Sequence, residues 1–313
     1  EAANEMSKRL RQVLGGSLPH VMTFHQLAYA ITRPTADILV DRRHEGNFAL
    51  SKFVQQIVDE FIKSEQYTDR IKLLMMTYFK EDWDKIVKEK FDLPVSQFLA
   101  YRRSMERETL AGEFVKSYGE KVIANALFSY DIKYRYERTF RWGSTVYKPD
   151  FTIPYGGRTG GVIIEYFGLR GDPDYDHSSH EKIKFWTNRS DWHFLYFYPS
   201  DIVEYGENRF ARHLITLLAE LGVKGRKLSD EEIWERIRHR SIERFTETVT
   251  SFISRASSLG LSPRHVQEMI LAHSPASSFE NDFLEIASEI YRNYVFRLAK
   301  NNAMDFSGLL WKA

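Results

Sequence analysis

The feature that most constrains the fold is a short apolar segment, 162–167, which reads Val-Ile-Ile-Glu-Tyr-Phe and carries a carboxylate among β-branched and aromatic residues. Such a run is typical of a buried strand. Because an ionised group is costly to bury unless something pairs with it, Glu165 requires a partner. A second acid, Asp150, lies in a similar run, Tyr-Lys-Pro-Asp-Phe at 147–151. One bound divalent cation would pair with both acids.

The segments around these two runs predict a small α+β unit. Helical periodicity covers 106–130, where Glu120 lies at the edge of the apolar stripe, and 178–188, which carries Lys182 and Lys184. Alternating or β-branched and aromatic residues predict strands at 132–138, 146–153, 161–167 and 192–198. The order is therefore helix, three strands, helix, strand, and it predicts that three acids and a lysine from separate elements converge.

The rest of the chain is predicted to be mostly helical. Residues 1–14 form an amphipathic helix, and 21–28 form a short strand that turns into a helix. The stretch 31–108 is predicted to be helical, with periodic segments at 48–61, 68–78 and 83–89. Further helices are predicted at 209–221, 230–238, 242–259, 264–272 and 279–300. The predicted fold class is α/β of the α+β kind, a small mixed sheet flanked by helices within a mostly helical subdomain.

Composition narrows the classes of site. The chain has 313 residues, enough for two or three structural units, and a net charge of +1, so a nucleic-acid binder would need a local basic surface. It contains no cysteine, which excludes disulfides, thiolate zinc sites and cysteine nucleophiles. A metal would be held by oxygen or imidazole. The absence of a long apolar run and of a signal peptide predicts a cytoplasmic location, and the missing initiating Met suggests an excised fragment.

The arrangement of acids resembles the PD-(D/E)xK nuclease core, in the version inserted in some UvrD/Rep-like superfamily 1 DNA helicases. The resemblance covers 117–199 and rests on Gly119-Glu120, 148–151, 164–168 and 175–182. It implies Mg²⁺ or Mn²⁺ held by Asp150, Glu165 and the backbone carbonyl of Tyr166, with Glu120 completing the shell directly or through water. In the commonest form of the motif a lysine lies two residues after the acid, where this chain has Phe167. In related forms it lies on the next helix, which makes Lys182 the counterpart and Lys184 the second choice.

Three other segments resemble the motor of the same helicases. Residues 2–6 look like the end of motif Ia, 23–28 look like the Thr-Phe-His motif, and 304–310 look like the segment before Walker B. The resemblance implies that Thr23, Phe24 and His25 line a single-strand DNA track. Neither a Walker A loop nor an acidic Walker B strand occurs in the sequence, so we expect ATP to be a cofactor only of the intact helicase. The implied partners are single-stranded or forked DNA and the rest of the motor, with no membrane.

The resemblance also implies a division into four parts. Residues 1–30 would be a piece of the RecA-like motor domain and 31–108 the first part of a helical insertion. The nuclease-like domain would occupy 109–202, and the second part of the insertion 203–313.

Each candidate residue also has a plainer interpretation. Asp150 would merely start a turn, Glu165 would form a structural ion pair, and Glu120 would be a surface glutamate. His177, His180 and His193 match no closed zinc motif. A basic group with interleaved aromatics either contacts DNA or forms an ordinary charged hairpin; it consists of Arg135, Arg138, Arg141, Lys148, Trp142 and Tyr147.

The predicted function is a metal-dependent DNA nuclease domain within an ATP-dependent helicase. The main alternative is a non-catalytic module of the same fold that grips DNA or a partner, and Phe167 at the usual lysine position favours it. A helical scaffold for a partner nuclease is a third alternative.

Overall fold

The structure, a computed structural model, describes residues 2–14, 20–42, 47–80, 107–142, 145–156, 160–168, 173–275 and 277–313. The predicted helix at 83–89 lies outside these residues. The chain forms two compact units. The first unit contains Glu1–Met75 and Arg240–Ala313, and the second contains Met76–His239. None of the helices that the structure describes is long and apolar enough to cross a membrane.

The described helices, in chain order, are α1 (Ala2–Leu14), α2 (Phe24–Thr32), α3 (Ala49–Lys63), α4 (Thr68–Lys80), α5 (Tyr118–Ser129), α6 (Pro173–Thr187), α7 (Pro199–Tyr205), α8 (Glu207–Glu220), α9 (Asp230–Ser258), α10 (Pro263–Ala272), α11 (Ser278–Lys300) and α12 (Phe306–Lys312). The described strands are β1 (Asp37–Leu39), β2 (Asp41–Arg42), β3 (Asn47–Phe48), β4 (Arg107–Glu108), β5 (Phe114–Val115), β6 (Arg135–Tyr136), β7 (Phe140–Trp142), β8 (Thr145–Tyr147), β9 (Phe151–Pro154), β10 (Gly161–Tyr166), β11 (Trp192–Phe197) and β12 (Ala303–Asp305).

The second unit is built on a four-stranded mixed sheet in the order β11-β10-β9-β6. Strand β10 pairs in parallel with β11 and antiparallel with β9, which in turn pairs antiparallel with β6. The parallel pair needs a crossover connection, and α6 supplies it. The mixed α and β architecture confirms the predicted α+β fold class.

The two faces of this sheet have different roles. Val162 and Ile164 of β10 are fully buried in a core with residues of α5 and α8, including Leu127 and Phe210. Burying an aliphatic side chain of this kind contributes about 1.5–3 kcal/mol. Since side chains alternate along a strand, Glu165 points to the opposite face, where α6 packs against β11. Strand β10 therefore presents apolar side chains to the layer of α5 and α8, and it places Glu165 on the opposite face, towards α6.

The first unit contains a parallel pair of strands far apart in the chain. Strand β1 pairs with β12, and Asp37 lies opposite Ala303. Asp305 then caps helix α12, because its Oδ1 accepts the Gly308 N–H at 2.7 Å. Its Oδ2 accepts the hydroxyl of buried Tyr294 at 2.9 Å. Helix α11, which carries Tyr294, packs on α3.

Several boundaries differ from the sequence predictions in the second unit. The predicted helix at 106–130 begins only at Tyr118, because Gly112 adopts a φ of +94° between paired strands β4 and β5 and Ser117 then caps α5. The predicted strand at 146–153 is two strands, β8 and β9, since Pro149 has no N–H to give to a ladder. The predicted strand at 132–138 is reduced to β6, and Glu137 follows with a φ of +46°.

Other predictions were wrong outside the sheet. Residues 21–23 do not form a strand, because Thr23 caps α2 with a reciprocal hydrogen-bond pair to Gln26. The stretch 31–108 is not helical throughout, since β1 lies within it. The predicted helices 230–238 and 242–259 form one helix, α9, in which neither Gly nor Pro interrupts the joint. The helices α1, α8, α10 and α11 and the strands β10 and β11 are confirmed within a few residues.

Candidate functional site

Asp150 and Glu165 lie side by side at the end of the central strands. The last ladder pair between β9 and β10 joins Phe151 and Ile164, so the two acids are opposite each other one position further on. The Tyr166 N–H donates to Asp150 Oδ2 at 2.7 Å, and the Asp150 N–H donates to the Glu165 carboxylate. The backbone therefore holds both acids in place through reciprocal hydrogen bonds. Glu165 is only 1% exposed.

Lys182 reaches this pair from helix α6. Its Nζ lies 3.0 Å from Glu165 Oε2, and the lysine side chain remains 32% exposed. The ammonium also lies 5.1 Å from the centroid of the Tyr147 ring, and the Tyr147 hydroxyl donates to Glu165 Oε1. Lys184, on the same helix, is exposed. The structure thus brings Lys182, and not Lys184, to the acid.

Glu120 approaches from the first turn of α5. It is buried, and Ser117 caps the helix by accepting the Glu120 N–H at 3.2 Å. The Glu120 carboxylate accepts hydrogen bonds from the Tyr136 hydroxyl at 2.6 Å, the Ser117 hydroxyl at 2.7 Å and the Lys116 N–H at 3.0 Å. Its negative charge acts on both Asp150 and Glu165. The three acids predicted from sequence therefore lie in one region.

Burial and mutual repulsion disfavour ionisation of the two central acids. Burial raises the pKa of Asp150 to about 7, and the charge of Glu120 adds to the rise, while the Tyr166 N–H and Lys182 oppose it. Burial also raises the pKa of Glu165 to about 7 against the opposing effect of Lys182. One lysine is therefore too little positive charge for this group of acids at neutral pH.

The donor chemistry suits a hard cation held by two carboxylates. Carboxylate and carbonyl oxygens are the ligands that Mg²⁺ and Mn²⁺ prefer. In the part of the chain that the structure describes, no three Asp, Glu or His side chains are grouped closely enough to hold one metal ion. Two of the predicted ligands, Asp150 and Glu165, lie next to each other, and the Tyr166 carbonyl as a third ligand stays a prediction. Glu120, already engaged by three donors, fits a contact through water.

The candidate DNA-binding residues divide between the two units. In the second unit Arg135 and Lys148 are exposed, and the side chain of Arg141, on β7, lies outside the described part. In the first unit Phe24 is 82% exposed on α2. The other two residues have structural contacts there: Thr23 caps the helix, and the His25 ring lies 4.4 Å from that of Phe306.

Three further residues contact the acids or their neighbours; the sequence analysis did not single out two of them, and it named Tyr147 only within the hairpin considered for DNA contact. They are Tyr147, Tyr136 and Lys116, whose ammonium pairs with Glu137. The hydrogen bond to Glu137 is the largest cause that raises the pKa of Lys116. The negative charges of Glu137, Glu120 and Asp150 raise it further. A useful signal was present for Tyr147, which lies three residues before Asp150 in the same short run. The three histidines considered for zinc do not form a group with other ligands in the described chain.

Comparison with known proteins gives one match. No curated protein and no solved structure matches the chain. Residues 1–149, just under half of the chain, match the family model of the UvrD/REP helicase N-terminal domain. This match supports assigning the chain to part of a UvrD-like helicase.

Proposed function

We propose that the second unit carries a metal-dependent nuclease that hydrolyses phosphodiester bonds in DNA, within a helicase of the UvrD type. The observation that carries the proposal is the convergence of Asp150, Glu165 and Lys182 from three separate elements onto one end of a mixed sheet. The family match over 1–149 supports DNA as the substrate and the rest of a helicase motor as the partner. Helicases of this family use ATP with Mg²⁺, which we assign to the intact helicase. The cytoplasmic location stays a prediction.

Each residue of the site has a proposed role. Asp150, Glu165 and the Tyr166 carbonyl would hold Mg²⁺ or Mn²⁺, and Glu120 would hold a water next to it. When bound, the ion would polarise the phosphate and lower the pKa of water. Lys182 would then contact the phosphate or its attacking water and stabilise the developing negative charge. The Tyr147 hydroxyl orients Glu165.

The raised pKa values are consistent with these roles. Buried acids that share too little positive charge are a frequent property of functional sites. A divalent cation would supply the missing positive charge and return both carboxyls to their ionised form. The same cluster would be an unfavourable arrangement in a purely structural core.

A second function is favoured by one observation. Phe167, at the usual lysine position, is 2% exposed, and Lys182 already forms an ion pair with Glu165. A site satisfied in this way also suits a non-catalytic module that grips DNA or a partner. This alternative predicts DNA binding without saturable Mn²⁺ binding at the carboxylates.

The nuclease proposal is tested with the full chain and labelled single-stranded and duplex DNA. We expect cleavage with Mg²⁺ or Mn²⁺ and none in EDTA, and we expect Asp150→Asn to reduce the rate at least about 100-fold. Glu204→Gln, which changes an exposed acid on α7, serves as the matched control. Cleavage that persists in Asp150→Ala would refute the assignment. Calorimetric titration with Mn²⁺ separates the nuclease from the non-catalytic module.

A further inference from the structure

The sheet face that carries the acids continues onto an aromatic edge strand. In the parallel pair of β10 and β11, Glu165 lies opposite Tyr196. Asp150 lies on the other side of Glu165, directly before β9. Partners in a parallel ladder project to the same face, so Glu165 and Tyr196 are neighbours on one face of the sheet. Adjacent strands are about 4.8 Å apart, which places Tyr196 directly beside the acid. In the order of the sheet, β11 is the outer strand on that side.

Tyr196 is exposed and held in position. Tyr196 is 42% exposed, although the neighbouring Glu165 is almost fully buried. Three aromatic rings contact it, with centroid distances of 5.9 Å to Phe167, 5.6 Å to Phe194 and 5.8 Å to Tyr198. A ring fixed in this way loses little conformational freedom when a flat ligand stacks on it.

The aromatic residues around Tyr196 also lie close to the Lys182 ammonium. The Nζ of Lys182 lies 5.9 Å from the centroid of the Phe167 ring, and the same Nζ bonds to Glu165. A positive group for a phosphate and an exposed ring for a base are therefore neighbours. Proteins that bind single-stranded nucleic acid without reading its sequence combine positive side chains, which contact the phosphates, with aromatic side chains, on which the bases stack.

From this geometry we propose that Tyr196, supported by Phe167 and Tyr198, is a stacking subsite for an unpaired base next to a phosphate bound by Lys182. The inference rests on the proposed nuclease function and adds a substrate class, single-stranded DNA. In a duplex the base faces are already stacked on one another and are not offered to a side chain. The subsite therefore favours single strands over duplex, whereas Lys182 and a cation at Asp150 and Glu165 would contact only a phosphate, which both forms share.

The test measures binding in EDTA, so that it does not depend on cleavage. A fluorescent oligothymidylate and a duplex of equal length are titrated with the full chain by anisotropy. We expect Tyr196→Ala to weaken single-strand binding about 5- to 150-fold, the range typical of one stacked base, and to leave duplex binding unchanged. Tyr196→Phe keeps the ring and should bind within about twofold of the unchanged protein.

Two controls separate stacking from a structural effect. Phe296→Ala removes an exposed ring from α11 in the first unit and should not alter single-strand affinity. In a series of oligonucleotides, each lacks one base at a different position. For one of them Tyr196→Ala should cause no further loss of affinity, because the base that stacks on Tyr196 is already missing. Near-UV circular dichroism of each variant reports whether the aromatic cluster is intact.

The outcomes distinguish this inference from the function it rests on. Equal single-strand affinity of Tyr196→Ala and the unchanged protein overturns the subsite, even where metal-dependent cleavage is found. An equal loss for single strands, duplex and every abasic oligonucleotide assigns Tyr196 a structural role and also overturns it. A selective loss with no metal-dependent cleavage retains the stacking subsite and rejects the nuclease.

Discussion

The substitution Glu165→Gln tests whether the buried acid carries the electrostatic penalty that its surroundings imply. The pKa of Glu165 is raised from 4.5 to about 7, mainly by burial. At 1.36 kcal/mol per pKa unit, this difference corresponds to roughly 3 kcal/mol. Below pH 4.5 the carboxyl is protonated in both the folded and the unfolded chain, and no penalty applies. As the pH rises from 4.5 through 7, the unfolded chain loses the proton first, so the free energy of unfolding falls.

Glutamine has nearly the same shape as glutamate and does not titrate. We compare the free energies of unfolding of the unchanged protein and of Glu165→Gln at each pH. The value for the unchanged protein minus that for the variant should decrease by roughly 3 kcal/mol between pH 4.5 and pH 8. Urea unfolding followed by tryptophan fluorescence in EDTA measures it, because Trp186 and Trp192 lie close to the site. Glu204→Gln, an exposed control on α7, should show no such change. A difference between the two proteins that is constant over this pH range would refute the argument from burial.

Two further predictions concern the metal and the first unit. Since the carboxyls of Asp150 and Glu165 have pKa values of about 7 and must lose their protons to bind a cation, Mn²⁺ affinity measured by calorimetry should fall about 10- to 100-fold from pH 8 to pH 6. An affinity that does not change over this interval contradicts their role as ligands. Asp305→Ala should lower the free energy of unfolding by about 2–4 kcal/mol, because it removes a helix cap and leaves the buried Tyr294 hydroxyl without its acceptor. In a Tyr294→Phe background the same substitution should cost about 1 kcal/mol, and equal losses in both backgrounds would contradict this account.

Local sequence patterns identified the residues that the structure brings together at the centre of the candidate site, and their roles stay predictions. The apolar run of β10 indicates a strand and contains its acid, whereas Lys182 was singled out by the resemblance to the nuclease core and not by helical spacing. What periodicity does not encode is which polar groups meet. The hydrogen bonds of Tyr147 to Glu165 and of Tyr136 to Glu120 join residues on different elements, so they depend on the tertiary arrangement.

The wrong predictions of secondary structure have two kinds of cause: local backbone conformation, and pairing with a segment that is distant in the sequence. The helix predicted over 106–130 is too long at its start, because the positive φ of Gly112 and the cap at Ser117 place a turn between paired strands before α5. Conversely, the apolar run Ile38-Leu39-Val40 is too short to decide between helix and strand, and the partner that makes 37–39 a strand is Ala303–Asp305. Such non-local pairing overrides weak local preference.

The pairing of β1 with β12 also sets an order of events during synthesis. At 5–20 residues per second, the ribosome needs roughly 10 to 50 s to produce the chain between the two strands. The whole segment Met76–His239 is produced within that interval and can fold before β12 exists, while β1 still lacks this partner. An open strand of this kind invites pairing with other chains. Until Asp305 leaves the exit tunnel, β1 is therefore a place where the nascent protein can pair with another chain and aggregate.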